Sequence, residues 1–292
     1  MDESEAFLFR KGKYVGLDKI GIIAGGGQFP LLFIEAAHKA GRHVVVVAHK
    51  GETDEKVAQT ADSVCWVKLG QLGRVINFFK KEGVSETVFI GPITKTQIFR
   101  DLLPDLKGLS LWNKIDTKQD DAILRAIANT LDEEGIKVLE STLYLQHLLF
   151  PAGVLTKTKP NKKQIKDIEF GWKNARAIGR LDIGQCVVVR NCSVVAVEAI
   201  EGTDAAILRG GKLAREKAVV VKVKKPGQDF RFDLPATGLT TLKTLKSVKG
   251  AVLAVEAGQS ILFDREEMIK EANKAGIVVV GVTELEDGSL QM

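Results

Sequence analysis

The chain has 292 residues, enough for two domains or one large one. It is 45% apolar and 27% charged, a balance that builds packed cores and excludes a disordered chain. A net charge of +5 suits an anionic ligand or an anionic membrane surface without demanding either; with no recognition helix, zinc-finger spacing or stacking motif, it points away from nucleic acid.

Residues 1–18 are charged and lack a signal-peptide core, so they read as an N-terminal extension. Lys19 to Ala24 reads as a buried strand running into Gly25-Gly26-Gly27. Gln28 to Ala40 then has helical periodicity, with Pro30 in the first turn and Gly41 closing it. His43 to Ala48 is a second buried strand, completing a β–glycine turn–α–β unit. The alternation continues through a strand at Ser63–Val67, a helix at Leu69–Lys81, a strand at Thr87–Ile90 ended by Gly91-Pro92, a helix at Asp120–Glu134 and a strand at Ile136–Leu139. Right-handed crossovers make this a Rossmann-like parallel sheet, spanning 19–152, whose ligand edge carries Gly25–Gly27, Ala48–His49 and Gly91–Thr94.

Residues 153–166 are rich in Lys, Pro, Thr and Asn and read as a linker. The remainder, 167–292, reads as a mixed α/β domain. Its helix from about Lys162 stops at Gly179; strands follow at Gly184–Val189 and Ser193–Ala199, with a hairpin turn at Asn191. A helix at Thr203–Arg209, a strand at Ala218–Val223, a helix at Thr240–Val248 and strands at Ala251–Val255 and Ser260–Phe263 come next. Asp264 with Glu267 has capping-box spacing before a last helix, and Ile277–Val282 closes the chain as a strand.

Cys65, Cys186 and Cys192 are an odd, sparse set without zinc spacing; they fit a reducing cytosol and read as small core residues on strands. His38, His43, His49 and His147 form no metal or triad pattern. No apolar run is long enough to span a membrane, so a membrane role would be peripheral.

The chemistry-bearing stretch is Lys222 to Gly238. Lys222, Lys225 and Arg231 on one loop can hold phosphate oxygens, and Asp233 beyond them can hold a divalent metal or orient a water. Upstream, Glu198, Glu201 and Asp204 crowd like charges, which a hard cation such as Mg²⁺ or Mn²⁺ relieves. The turn Gly25-Gly26-Gly27 opens a helix, where an anion is favoured, although it is neither GxGxxG nor a Walker sequence. No acid ends the second strand to clamp an NAD ribose, which argues against an oxidoreductase. Alone, these residues describe a cytosolic two-domain α/β protein that binds a phosphorylated ligand with a divalent metal; a non-catalytic nucleotide- or lipid-binding regulator would share every one of these binding features.

Five blocks, IIAGGGQFP at Ile22–Pro30, RLDIGQ at Arg180–Gln185, VEAIEGTDA at Val197–Ala205, KPGQDFRFDLPATG at Lys225–Gly238 and VEAGQSILFDR at Val255–Arg265, resemble the LpxI-type UDP-2,3-diacylglucosamine diphosphatases of lipid A biosynthesis. The resemblance runs from Lys19 to Val282. It implies metal-dependent hydrolysis of UDP-2,3-diacylglucosamine to UMP and 2,3-diacylglucosamine 1-phosphate, lipid X, by water attacking the α-phosphorus. It also implies substrate held between two domains, and a homodimer peripheral to the cytoplasmic face of the inner membrane. The family's essential acid falls on Asp233. On that basis Asp233, Glu201 and Asp204 are expected to take the metal, and Lys222, Lys225 and Arg231 the diphosphate. Gly25, Gly26 and Gly27 are expected to receive the nucleotide, and Gln185 and Thr203 the sugar or uracil. The loop Pro92–Lys95 departs from the family pattern.

Overall fold

A computed structural model describes residues 18–93, 104–114, 120–226, 228–232 and 234–292. The chain divides into two units, Met1–Gln146 with Asp229–Asp233 and His147–Gln228 with Leu234–Met292.

The first unit is built on a parallel sheet of β1 (Lys19–Ala24), β2 (His43–His49), β3 (Ser63–Val67), β4 (Glu86–Ile90) and β5 (Lys137–Leu139), in the order β3-β2-β1-β4-β5. Val44 to Val47 are all buried, the continuous apolar run of a strand covered on both faces. The helices are α1 (Phe29–Lys39), α2 (Val57–Thr60), α3 (Leu72–Glu82), α4 (Leu106–Lys114) and α5 (Asp120–Glu133). Ile76 and Phe79 of α3 and Leu131 of α5 pack with Val45, Val47 and Val138 of the sheet. Helix α3 starts later than its periodicity suggests, because Gln71 Oε1 accepts from Lys68 N and holds a turn ahead of it.

The second unit carries a mixed sheet in the order β14-β13-β11-β9-β7-β8. The strands are β7 (Cys186–Arg190), β8 (Ser193–Val197), β9 (Val219–Lys222), β11 (Val252–Glu256), β13 (Val278–Glu284) and β14 (Leu290–Gln291). β9, β11 and β13 are parallel, and β7, β8 and β14 run against their neighbours. A short parallel pair, β10 (Ala236–Thr237) and β12 (Ile261–Leu262), stands apart. Helix α6 (Lys162–Arg180) lays Ile168, Trp172 and Ala175 on Val187, Val189, Val219 and Val221. The alternate residues Cys186, Val188 and Val220 face Ile207 of α7 (Thr203–Ala214), Leu242 and Leu245 of α8 (Leu239–Ser247) and Met268 and Ala272 of α9 (Arg265–Ala275). The two-residue period of a strand thus divides one valine-rich sheet between two helical layers.

The stretch expected as a linker is structural. Gly153–Val154 forms β6, antiparallel to β13, and Thr156 Oγ1 accepts from Val279 N at 3.2 Å. Its polar residues serve turns and a cap: Asn161 and Gln164 close a full capping box on α6. The box expected at Asp264 does not form. Asp264 is left-handed at φ 51° and makes no side-chain cap, whereas a capping side chain needs extended backbone to reach its amides. Helix α6 also runs through Gly179 to Arg180. Asn191 and Cys192, both at positive φ, make the two-residue β7–β8 turn, and the buried Asp167 carboxylate accepts from both of their amides. Cys192 is therefore an exposed turn residue, not a core one.

Candidate active site

In the first unit, strand order reverses between β1 and β4, where a parallel sheet opens a crevice at its carboxyl edge. Gly25 N donates to Ile90 O and Gly26 N to Pro92 O, each at 2.8 Å. A Cβ on Gly25 would lie 2.4 Å from the oxygens of both Gly91 and Pro92, so only glycine lets these two loops meet. The amides of Gly25 and Gly26 are thus bonded to protein carbonyls and do not form the expected phosphate cradle. An anion here would draw donors from Gly27 onward, at the start of α1, where Pro30 supplies none. Gly27, at φ 77°, has open space where a Cβ would stand.

His49 closes the same edge. Its Nδ1 lies 2.9 Å from Ala24 O, so Nδ1 carries the proton, and Thr53 Oγ1 donates to the same oxygen at 2.7 Å. Burial holds the imidazole below its ordinary pKa, against the opposing pull of the Ala24 carbonyl and Glu52.

Residues 229–232 join this unit from far along the chain. Phe232 meets Phe89 of β4 edge-on at 5.5 Å and is counted in the core with Leu131 and Val138. Ser141, just past β5, donates to Phe230 O through both N and Oγ. Arg231 stacks over Phe232 at 4.9 Å and pairs with Asp229 at 2.8 Å; that hydrogen bond holds the Asp229 carboxyl below its usual range. Asp233 lies outside the described residues, as do Thr94 and Lys95 of the Pro92–Lys95 loop.

In the second unit, Gln185, Thr203, Asp204 and Lys222 gather around the carboxyl end of β9. Lys222 is buried, sits opposite Cys186 in the sheet, and donates Nζ to Ala236 O at 2.7 Å. Glu198, also buried, accepts from Thr203 Oγ1 at 2.8 Å and from Gln185 N at 3.3 Å. Burial, then Glu198, push the Cys186 thiol far above its ordinary pKa, which removes it as a nucleophile. Among the described residues, Gln185 Oε1 and Asp204 Oδ1 are buried acceptors without a donor. Glu198 orders this group, yet in the sequence it was one acid among several; its position directly after β8 was the available signal.

Two expected residues turn elsewhere. Glu201 pairs with Arg209 at 2.7 Å and accepts from Ala199 N, and Lys225 pairs with Asp182 at 2.7 Å. Among the described residues no three His, Cys, Asp or Glu side chains converge as a metal cage. Asp204 Oδ1 fits one position of an open, hard-oxygen site of the kind Mg²⁺ completes with water and phosphate; Glu201, bound to Arg209, does not. The described groups offer buried cationic and hydrogen-bonding contacts to an anion, with no built-in nucleophile.

A parallel sheet with a glycine turn at its switch point, joined to a mixed α/β unit, defines a two-part α/β protein. Residues 19–148 match the LpxI N-terminal domain and residues 151–280 the LpxI C-terminal domain. A Caulobacter vibrioides protein, UDP-2,3-diacylglucosamine pyrophosphatase LpxI, is 33% identical over 275 residues, covering 90% of this chain and 97% of that one. The chain belongs to the LpxI family and is an enzyme. Among solved structures, the biotin carboxylase domain of a thermophilic 2-oxoglutarate carboxylase is 13% identical, covers 60% of this chain and 30% of its own, and has a TM-score of 0.26. The biotin carboxylase subunit of pyruvate carboxylase is likewise 13% identical, covering 64% of this chain and 39% of its own, at a TM-score of 0.26. Likenesses this slight carry no argument.

Proposed function

We propose that this protein hydrolyses UDP-2,3-diacylglucosamine to UMP and 2,3-diacylglucosamine 1-phosphate, a step of lipid A biosynthesis, with Mg²⁺ or Mn²⁺ as cofactor. The observation that carries the reading is the 33% identity to the Caulobacter pyrophosphatase across 97% of its length. The docking of residues 229–232 by Phe89 and Ser141 supports it, because the sequence next to Asp233 is held toward the edge that bears the glycine turn.

In this reaction the oxygen of water bonds to the α-phosphorus. The bond from that phosphorus to the bridging oxygen breaks, the bridging oxygen leaves with the sugar phosphate, and the water proton passes to a base. Asp233 is our choice for that base. Arg231 and Lys222 contribute positive charge toward the diphosphate, and Lys222 retains donors beyond its bond to Ala236, whereas Lys225 is held by Asp182. Gln185 and Thr203 hold sugar or uracil, with Glu198 fixing the Thr203 hydroxyl. A divalent ion would supply charge neutralisation on the phosphate oxygens, and Asp204 and Asp233 are the residues that would hold it; Glu201 stays with Arg209. The acyl chains bring the enzyme to the cytoplasmic face of the inner membrane as a peripheral homodimer. Among the described residues no helix is long and apolar enough to cross a membrane.

The test is incubation with the UDP-lipid in ¹⁸O-water, with and without EDTA. We expect label in UMP, loss of turnover on chelation, and a fall of about 10²–10⁴-fold for Asp233→Ala. Label in the lipid product, or full activity of Asp233→Ala, overturns the scheme.

A further inference from the structure

Apart from both residue groups, the second unit holds a cavity of about 400 Å³ lined by Trp172, Lys173, Arg176, Arg180, Pro226 and Glu284. Arg176 is part of its wall. The guanidinium stacks on Trp172 at 5.2 Å, bonds Glu256 at 2.7 Å, pairs with Glu284 at 3.3 Å and donates to Lys224 O at 3.2 Å. Trp172 Nε1 donates to Glu284 at 3.0 Å. Glu284, the one carboxylate lining the cavity among the described residues, is therefore committed to Arg176 and the indole.

Lys173 and Arg180 lie on the same helix, about one turn to either side of Arg176, and neither forms an ion pair among the described residues. Among the described residues Arg176 is paired with two carboxylates, whereas Lys173, one turn from Glu169 on the exposed side of the helix, and Arg180 touch none. Lys173 and Arg180 start about 10 Å apart along the axis, within reach of one small anion over Arg176. Trp172 and Pro226 add an apolar wall. The Pro226 side is fixed, since a Cβ on Gly179 would lie 3.0 Å from Pro226 Cδ.

We propose that this cavity binds a phosphate monoester. Its dianion lies between Lys173 and Arg180, and its organic part rests on the Trp172–Pro226 wall. Two cations without a carboxylate in contact among the described residues match the charge of about −1.5 to −2 that a monoester carries at neutral pH. No bond breaks there, and the site stands whether or not the protein hydrolyses a pyrophosphate.

The experiment uses full-length Asp233→Ala protein, so turnover plays no part, with Trp66→Phe and Trp112→Phe leaving Trp172 as the single indole reporter. Inorganic phosphate, UMP and phosphatidylglycerol vesicles are titrated separately at constant ionic strength. We expect a saturable fluorescence change with phosphate and a tighter one with UMP. The dissociation constant should rise at least about tenfold in Lys173→Glu/Arg180→Glu, the loss of a charge-assisted bond. The milder Lys173→Gln/Arg180→Gln pair, checked by circular dichroism, replaces the reversal if that does not fold. Equal affinity in the charge variants overturns the proposal, as does binding to vesicles with none to phosphate or UMP.

Discussion

Gly25 has no room for a side chain: the first atom of one would press into two carbonyl oxygens at 2.4 Å. Gly25→Ala should lower stability by about 1–3 kcal/mol, the usual range for overpacking, read as a fall in the urea midpoint. His49 gives the same edge a pH dependence. Its folded pKa is depressed, so the unfolded chain binds the extra proton; stability is complete above the unfolded value near 6.5 and falls as pH drops through it toward the folded value. Urea midpoints at pH 7.5 and 5.5 should therefore differ, and His49→Gln should narrow the gap. An unchanged gap would place the titration elsewhere. Thiol reactivity separates the cysteines as burial does: Cys192 should react first with a disulfide reagent and Cys186 only on unfolding. At this scale residue type was readable but partnership was not. Lys225 and Glu201 looked like ligand-binding charges, and each found an ion-pair partner that composition could not name.

Helix ends show where local reading works and where it stops. Asn161 and Asp264 both have capping chemistry in sequence, and only Asn161 has the extended backbone to use it. Asn161→Ala should destabilise by about 0.5–2 kcal/mol, whereas Asp264→Ala should cost far less, by thermal or chemical unfolding. The β7–β8 turn makes a second case. Asn191 announced it, but the buried Asp167 that accepts from its two amides lies on α6, and no local pattern reveals that. Asp167→Ala should cost about 1–3 kcal/mol by leaving those amides unpaired, and a neutral result would mean water replaces the carboxylate. Long strands and amphipathic helices were legible because their period is set by the backbone. The short β6, β10 and β14 were not, since two residues carry no period and depend wholly on a neighbour.

Across the whole chain, the α/β class and the parallel sheet of the first unit followed from the alternation of strand and helix patterns and the crossover rule. The assignment of residues 229–232 to the first unit did not, because Phe232 continues a local alternation and its aromatic partner, Phe89, lies far back in the chain. Phe232→Ala should cost about 3–5 kcal/mol, mostly from the cavity it leaves. That borrowed aromatic limits how the gene can be rearranged. A clone ending at residue 148 would encode the first sheet with an aromatic-sized gap beside Phe89, and a later clone would carry an orphaned plug. Recombination that shuffles the two halves as interchangeable cassettes would break both, so this pair of modules is bound to be inherited together.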